Sequence, residues 1–209
     1  MYRIISVVPG ASKIKISLRD ESGDETELSV AKELLPGSVA EGASLGEEEF
    51  EELSFAAEAT KALSKALDAL AASPLSAKAL TDKLRFKYKF SREASDAAAE
   101  VALSRGYIDE ASQSERIAAR SAAVKLWGRR RIVDELCSKG YPLQLAKEAA
   151  SAVPKSVYDK SLARLVDKKC SGGIKDPAKL KSIASSLVRL GHSPSDVKDA
   201  IAKKIREND

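Results

Sequence analysis

The residues best suited to chemistry in this chain are cations gathered around one indole. Lys125, Arg129, Arg130 and Arg131 flank Trp127, the sole tryptophan among 209 residues. Guanidinium groups make paired hydrogen bonds to phosphate or carboxylate oxygens, and an indole face supplies a stacking or anchoring surface. Arg116 and Arg120 lie upstream, and on an ideal helix their offsets to Trp127 (0, 4 and 11 residues) fall within roughly 40°. Lys139 extends the basic stretch. The chemistry on offer is the binding of an anionic partner. The same residues also suit a solvated basic surface on which Trp127 fills a gap between helices, and the residue types leave both readings open.

No other constellation has this density. His192 is the only histidine, and it follows Gly191 as Tyr141 follows Gly140, a match that points to turn closure and packing. Cys137 and Cys170 lack partners at metal-ligand spacing and read as small buried or half-buried hydrophobes in a reducing compartment. The run Glu47, Glu48, Glu49, Glu51, Glu52 reads as an acidic helix start, favourable to the helix dipole. An exposed run of this kind has nothing to hold one proton selectively. Gly172-Gly173 reads as a loop without a phosphate-binding fingerprint. With no Ser/His/Asp set, Walker-type loop or His/Cys cluster, catalysis, a metal and a cofactor are all unexpected.

These candidates need a scaffold, and composition limits what it can be. Apolar residues make up 44% of the chain but aromatics only 5%, much of the remainder being alanine. Such a chain favours thin, closely packed helices over aromatic-filled sheets. Residues 1–55 carry 5 basic and 12 acidic side chains, whereas residues 56–209 carry 30 and 19, a net of −7 against +11. A basic body suits an anionic partner. No signal peptide or membrane-spanning run is read, so a cytoplasmic, membrane-free monomer is the expectation.

The first 30 residues alternate. Ile14, Ile16 and Leu18 interleave with Lys13, Lys15 and Ser17, the period of a half-buried strand. Tyr2 to Val8 precedes a Pro9-Gly10 turn, Asp20–Asp24 reads as a hairpin loop, and Thr26–Val30 as the return strand. Strands this few must lean on the downstream helices or stay mobile. Residues 36–49 read as a linker entering a helix.

Helical periodicity then runs to the end and repeats. The apolar pairs Leu80/Leu84, Ile132/Leu136 and Ile183/Leu187 are spaced 52 and then 51 residues apart. Gly140 and Gly191 follow at one offset, suited to the left-handed residue that ends a helix. Each pair is preceded by a helix: Leu63, Leu67 and Leu70 mark the first, Ile117 and Val124 the second, Tyr158, Leu162, Leu165 and Val166 the third. Ser112 with Glu115 fits a capping box, and Asp176-Pro177 and Ser193-Pro194 fit caps followed by proline. The predicted fold is mainly α: three tandem three-helix repeats in an elongated curved body, behind a β-hairpin-rich segment. Its predicted parts are a β-rich extension and linker (1–46), then repeats at 47–109, 110–154 and 155–209.

Within this frame, Gly106-Tyr107-Ile108-Asp109-Glu110, an arginine-bearing helix, and Gly128-Arg129-Arg130-Arg131-Ile132-Val133-Asp134-Glu135-Leu136-Cys137-Ser138-Lys139-Gly140-Tyr141 resemble the RecX family, regulators of the bacterial RecA recombinase. The resemblance covers about residues 56–206 and is most specific over 104–141. Ala111-Ser112-Gln113 departs from an Arg-Phe-Ala-like family sequence, Ala122 replaces a basic residue, and Arg129 stands where proline is common. The resemblance implies three tandem three-helix repeats. It also implies binding to the RecA nucleoprotein filament and inhibition of its ATPase, strand-exchange and coprotease activities, in recombination and the SOS response. It favours Arg116, Arg120, Lys125, Trp127, Arg129, Arg130, Arg131 and Lys139 as the contact face. Single- or double-stranded DNA is a second candidate partner. The alternatives are a general nucleic-acid-binding helical-repeat protein, motivated by the +11 body, and a scaffold that binds other helices through apolar grooves.

Overall fold

In strand β2 (Lys13–Asp20) the alternation places Ile16 and Leu18 in the interior, and antiparallel neighbours flank it on both sides, β1 (Tyr2–Pro9) and β3 (Glu25–Ala31). The β2–β3 loop closes through the Asp20 carboxylate, which accepts the N–H groups of Ser22 (2.8 Å) and Asp24 (2.9 Å). These elements belong to a computed structural model that describes residues 1–37, 39–170 and 176–208. The Gly172-Gly173 loop lies outside the described residues. Part of the expected linker is strand instead. Ser44–Leu45 forms β4 and pairs with Tyr2 and Arg3, giving the sheet order β3-β2-β1-β4.

The sheet is not left mobile, because one face packs on helix α1 (Glu47–Ala72). Ile4, Ile16, Leu18 and Val30 meet Leu53, Ala56 and Ala57 there. Thr60 fixes the register of the contact. Its hydroxyl accepts the Ala31 N–H (2.7 Å) and donates to the Ala56 carbonyl (2.8 Å). Helices α2 (Ala77–Phe86) and α3 (Arg92–Ser104) complete a first compact unit, Met1–Ile108. Glu58 of α1 ties down the start of α3 by accepting both the N–H and the hydroxyl of Ser91.

The second unit, Asp109–Asp209, holds α4 (Glu110–Ala123), α5 (Arg129–Ser138), α6 (Leu143–Ala152), α7 (Lys155–Cys170), α8 (Pro177–Arg189) and α9 (Pro194–Asn208). The described residues thus contain nine α-helices in three triplets. The apolar pairs that defined the repeat sit on the middle helix of each triplet, and all six side chains are buried. Gly140 (φ 87°) and Gly191 (φ 91°) take the left-handed turn. The N–H groups of Tyr141 and His192 then reach back to the Leu136 and Leu187 carbonyls. In the first triplet the turn is one residue longer: Lys89 (φ 63°) takes the left-handed place and Phe90 N–H reaches Leu84. That insertion accounts for the spacing of 52 rather than 51.

Three sequence expectations change. The N-cap of α4 is Asp109, whose carboxylate accepts the Ser112 N–H at 3.0 Å, so Ser112 lies inside the first turn instead of capping it. Hydrogen bonds from Ser112 hold the Asp109 carboxyl below the usual range. Val124 is 70% exposed, because the buried face of α4 is made of Ser114, Ala118, Ser121 and Ala122. Small residues let α7 approach closely, and Ser161 donates its hydroxyl to the Ala122 carbonyl at 2.7 Å. A long basic side chain would not fit at position 122. Cys137 is exposed and Cys170 buried. Asp176-Pro177 and Ser193-Pro194 start their helices as expected, with the Asp176 carboxylate and the Ser193 hydroxyl accepting N–H groups from Ala178 and Asp196. No helix among the described residues is long and apolar enough to cross a membrane.

Candidate functional site

Helix α4 stops at Ala123, and the chain reverses through Leu126, a non-glycine residue at φ 55°. Trp127 therefore stands in the turn and not on the helix that carries Arg116 and Arg120, so the ideal-helix projection joining the three does not apply. Its backbone N–H still reaches back to the Ser121 carbonyl at 3.2 Å. Gly128 follows as the N-cap of α5, and the three arginines occupy that helix's first turn.

The first N–H groups of a helix have no partner within it. Here the turn after α8 supplies partners: the Leu190 carbonyl accepts from Gly128 at 2.8 Å and the Gly191 carbonyl from Arg130 at 3.3 Å. The C-terminal end of α8 thus meets the N-terminal end of α5, a favourable arrangement of helix dipoles. The approach demands two glycines. A Cβ on Gly128 would stand 2.2 Å from backbone atoms of Gly191 and His192, and one on Gly191 would stand 2.4 Å from the Arg131 nitrogen. His192 completes the seam. It is buried, and its Nε2–H donates to the Leu126 carbonyl at 3.1 Å. Burial pushes its pKa below the ordinary histidine value, with the Leu126 contact and nearby Asp196 opposing. The seam takes the Gly128 and Arg130 N–H groups, and the arginine side chains add positive charge around it.

Those side chains are exposed and form one patch. The Lys125 ammonium lies 4.1 Å and the Arg131 guanidinium 4.5 Å from the Trp127 ring. Indole contacts of this kind hold cations in place without neutralising them. Glu135 draws in Lys139 (3.5 Å) and, more distantly, Lys125 (3.9 Å). Arg129 turns toward α7 and covers the Tyr158 ring at 5.4 Å. Burial raises the Tyr158 pKa and Arg129 moderates the rise. Tyr158 donates its hydroxyl to the Ala150 carbonyl at 2.7 Å.

Arg130 and Arg131 line a cleft of about 480 Å³ with Asp134, Glu135, Ser138 and, from α8 and its turn, Val188, Arg189 and Gly191. Arg189 was not anticipated from the sequence. Only the seam brings it beside Arg130 and Arg131, and the one sequence signal was its place two residues before the repeated glycine. Arg116 and Arg120 are exposed on α4, where Arg116 Nε donates to the Ser112 carbonyl at 3.3 Å. The departure at Ala111-Ser112-Gln113 has a structural counterpart: Gln113 is buried and its Oε1 accepts the Tyr141 hydroxyl at 2.9 Å. Chemically, the patch can engage carboxylate or phosphate oxygens.

Solved structures share this fold, among them two RecX proteins. One, described as regulatory protein RecX, superposes with a TM-score of 0.73 at 18% identity, over 95% of this chain and 100% of its own. The other, RecX from Lactobacillus salivarius, gives a TM-score of 0.64 at 19% identity, over 71% of this chain and 97% of its own. No family model and no curated protein matches the chain. At these identities the likeness establishes a shared helical-repeat fold.

Proposed function

We propose that this chain, built on the fold of the solved RecX proteins, is a RecX-type regulator of homologous recombination and the SOS response. It is a non-enzymatic cytoplasmic monomer that binds the RecA nucleoprotein filament and inhibits ATP hydrolysis, strand exchange and coprotease activity. The observation carrying this reading is the fold likeness, which spans 95% of the chain and the whole of the relative. The motif residues add support. Gly128, Gly140 and the apolar pair Ile132/Leu136 set the α5 turn and seam from which Arg130 and Arg131 line the cleft, with Arg129 beside them over Tyr158.

In this reading the arginine patch, with Lys125, Lys139 and Trp127, meets an acidic surface of the filament, and Arg116 and Arg120 extend the contact along α4. Bidentate guanidinium contacts give the interface register as well as attraction. Inhibition follows when one filament state is bound more tightly than another, which shifts the population toward it.

The test is to add the protein to RecA assembled on single-stranded DNA and follow ATP hydrolysis. A fall is expected, and no change at saturating protein refutes the reading. Joint replacement of Arg129, Arg130 and Arg131 by Ala is expected to weaken filament binding, whereas unchanged affinity across salt concentrations removes the patch from the interface. The same titration with bare DNA separates the second reading. A general nucleic-acid binder would bind DNA without RecA, its log affinity falling linearly with log salt.

A further inference from the structure

We infer that the groove between α8 and α9 is a docking site for an amphipathic helix of a protein partner, one whose apolar stripe is flanked by acidic residues. The inference is independent of the recombinase reading and concerns a different face of the second unit.

The groove has a volume of about 590 Å³ and an apolar floor. Leu180, Ala184 and Val188 of α8 form one wall, and Val197, Ile201 and Ile205 of α9 the other. Ile205 is 38% exposed, and Leu180, Ala184 and Val188 are half-buried, so an apolar surface is left open along the groove. Leu180, Ala184 and Val188 also pack on the core of their own triplet, where Val197 and Ile201 are buried, so the groove is the open edge of that core. At the repeat positions of Leu180, Ala184 and Val188, the second triplet has Arg129, Val133 and Cys137, and the first has Ala77, Thr81 and Arg85. Only the third triplet makes this wall wholly apolar.

Shape and charge fix the occupant. Both walls are helices, so a third helix can lay its ridge between them by ordinary ridge-into-groove packing. From Pro194 to Ile205 the floor extends about 16 Å along α9, room for side chains at i, i+3/i+4 and i+7 of a docked helix. The charged side chains lining the groove are Lys181 and Lys198, and neither is ion-paired among the described residues. Lysine stems extend apolar walls while their ammonium groups reach past the rim. Acidic residues beside the apolar stripe of an incoming helix meet those ammonium groups, and basic ones are repelled. The acidic start of α1 cannot serve, because its Phe50 and Leu53 already pack under the sheet.

The test uses the full chain and two labelled helical peptides of about 18 residues, five turns, with leucines at helical spacing and either Glu or Lys at the flanks. Fluorescence anisotropy is expected to show one Glu-flanked peptide bound per chain, at least about tenfold more tightly than the Lys-flanked one, a difference of about 1.4 kcal/mol. Ala202→Glu places a carboxylate at the mouth of the groove on an exposed position and is expected to abolish that binding with the circular dichroism unchanged. The double variant Lys181→Glu/Lys198→Glu is expected to reverse the preference between peptides. The inference is overturned by absent or equal binding of the two peptides, or by binding that survives Ala202→Glu. It is equally overturned if Ala202→Glu instead dissolves a dimer in sedimentation or releases the chain from anionic vesicles, since the occupant is then a second copy or a lipid surface.

Discussion

Replacing Gly128 by Ala tests whether the α5–α8 seam holds the second unit together. Gly128 has φ −77°, a region open to any residue, so alanine introduces no backbone strain and the whole effect comes from one methyl group. That Cβ would stand 2.2 Å from Gly191 C and O and His192 N, where ordinary contact begins at 3.4 Å, so the two backbones must part by about 1.2 Å. All the atoms met are backbone, and no side chain can swing aside. Opening of that size takes the Gly128–Leu190 bond from 2.8 Å to about 4 Å and strains Arg130–Gly191 (3.3 Å) and His192–Leu126 (3.1 Å) beyond useful geometry. With each of the three bonds contributing about 0.5–1.5 kcal/mol net, the expected loss is about 1.5–4.5 kcal/mol. Urea unfolding followed by Trp127 emission reports this directly, because the sole tryptophan precedes the seam. Hydrogen exchange at the Gly128 and Arg130 amides should lose protection in parallel. Gly106→Ala serves as the control: Gly106 sits at φ 71° with nothing within 4 Å of an added Cβ. It should cost only the left-handed penalty, about 1–2 kcal/mol. If Gly128→Ala unfolds within about 0.5 kcal/mol of the parent, the range of an ordinary surface change, and the two amides stay protected, the seam is not what holds α5 to α8.

Two further perturbations read the structure at other points. His192 has a folded pKa below its ordinary value, so the unfolded chain takes up its proton first as pH falls. Stability should be complete above about pH 6.5 and decline from there toward the lower folded value, and His192→Gln should flatten that slope in urea midpoints measured from about pH 7 down to 5.5. An unchanged slope would place the titration elsewhere. Thr60→Val strands the buried Ala31 N–H and should cost about 1–3 kcal/mol, with faster hydrogen exchange at Ala31 as its signature. Retained protection at Ala31 would mean that the sheet edge is held by something other than this hydroxyl.

Much of this fold is written in local signals. Strand alternation at Ile14, Ile16 and Leu18, the apolar pairs of the three middle helices, and the cap residues Asp176 and Ser193 all act through neighbours a few residues away. The sequence therefore determines them nearly unaided, and the helical-repeat reading rests on such features. The features that went unseen depend on distant partners. Ser44–Leu45 is too short to show a period and becomes a strand only because β1 offers an open edge. Val124 and Trp127 look helical by spacing, yet the chain turns at Leu126 with no glycine or proline in the turn to announce it. Gly191 reads as a local helix end, and Gly128 only as the first residue of the arginine motif. Tertiary packing makes them two halves of one contact 63 residues apart, through which Arg189 joins Arg130 and Arg131 at a single cleft. The cations themselves were legible because charge and side-chain type are local. Which of them share a surface was decided by the seam, since a close approach of two backbones leaves no periodicity in either strand of sequence.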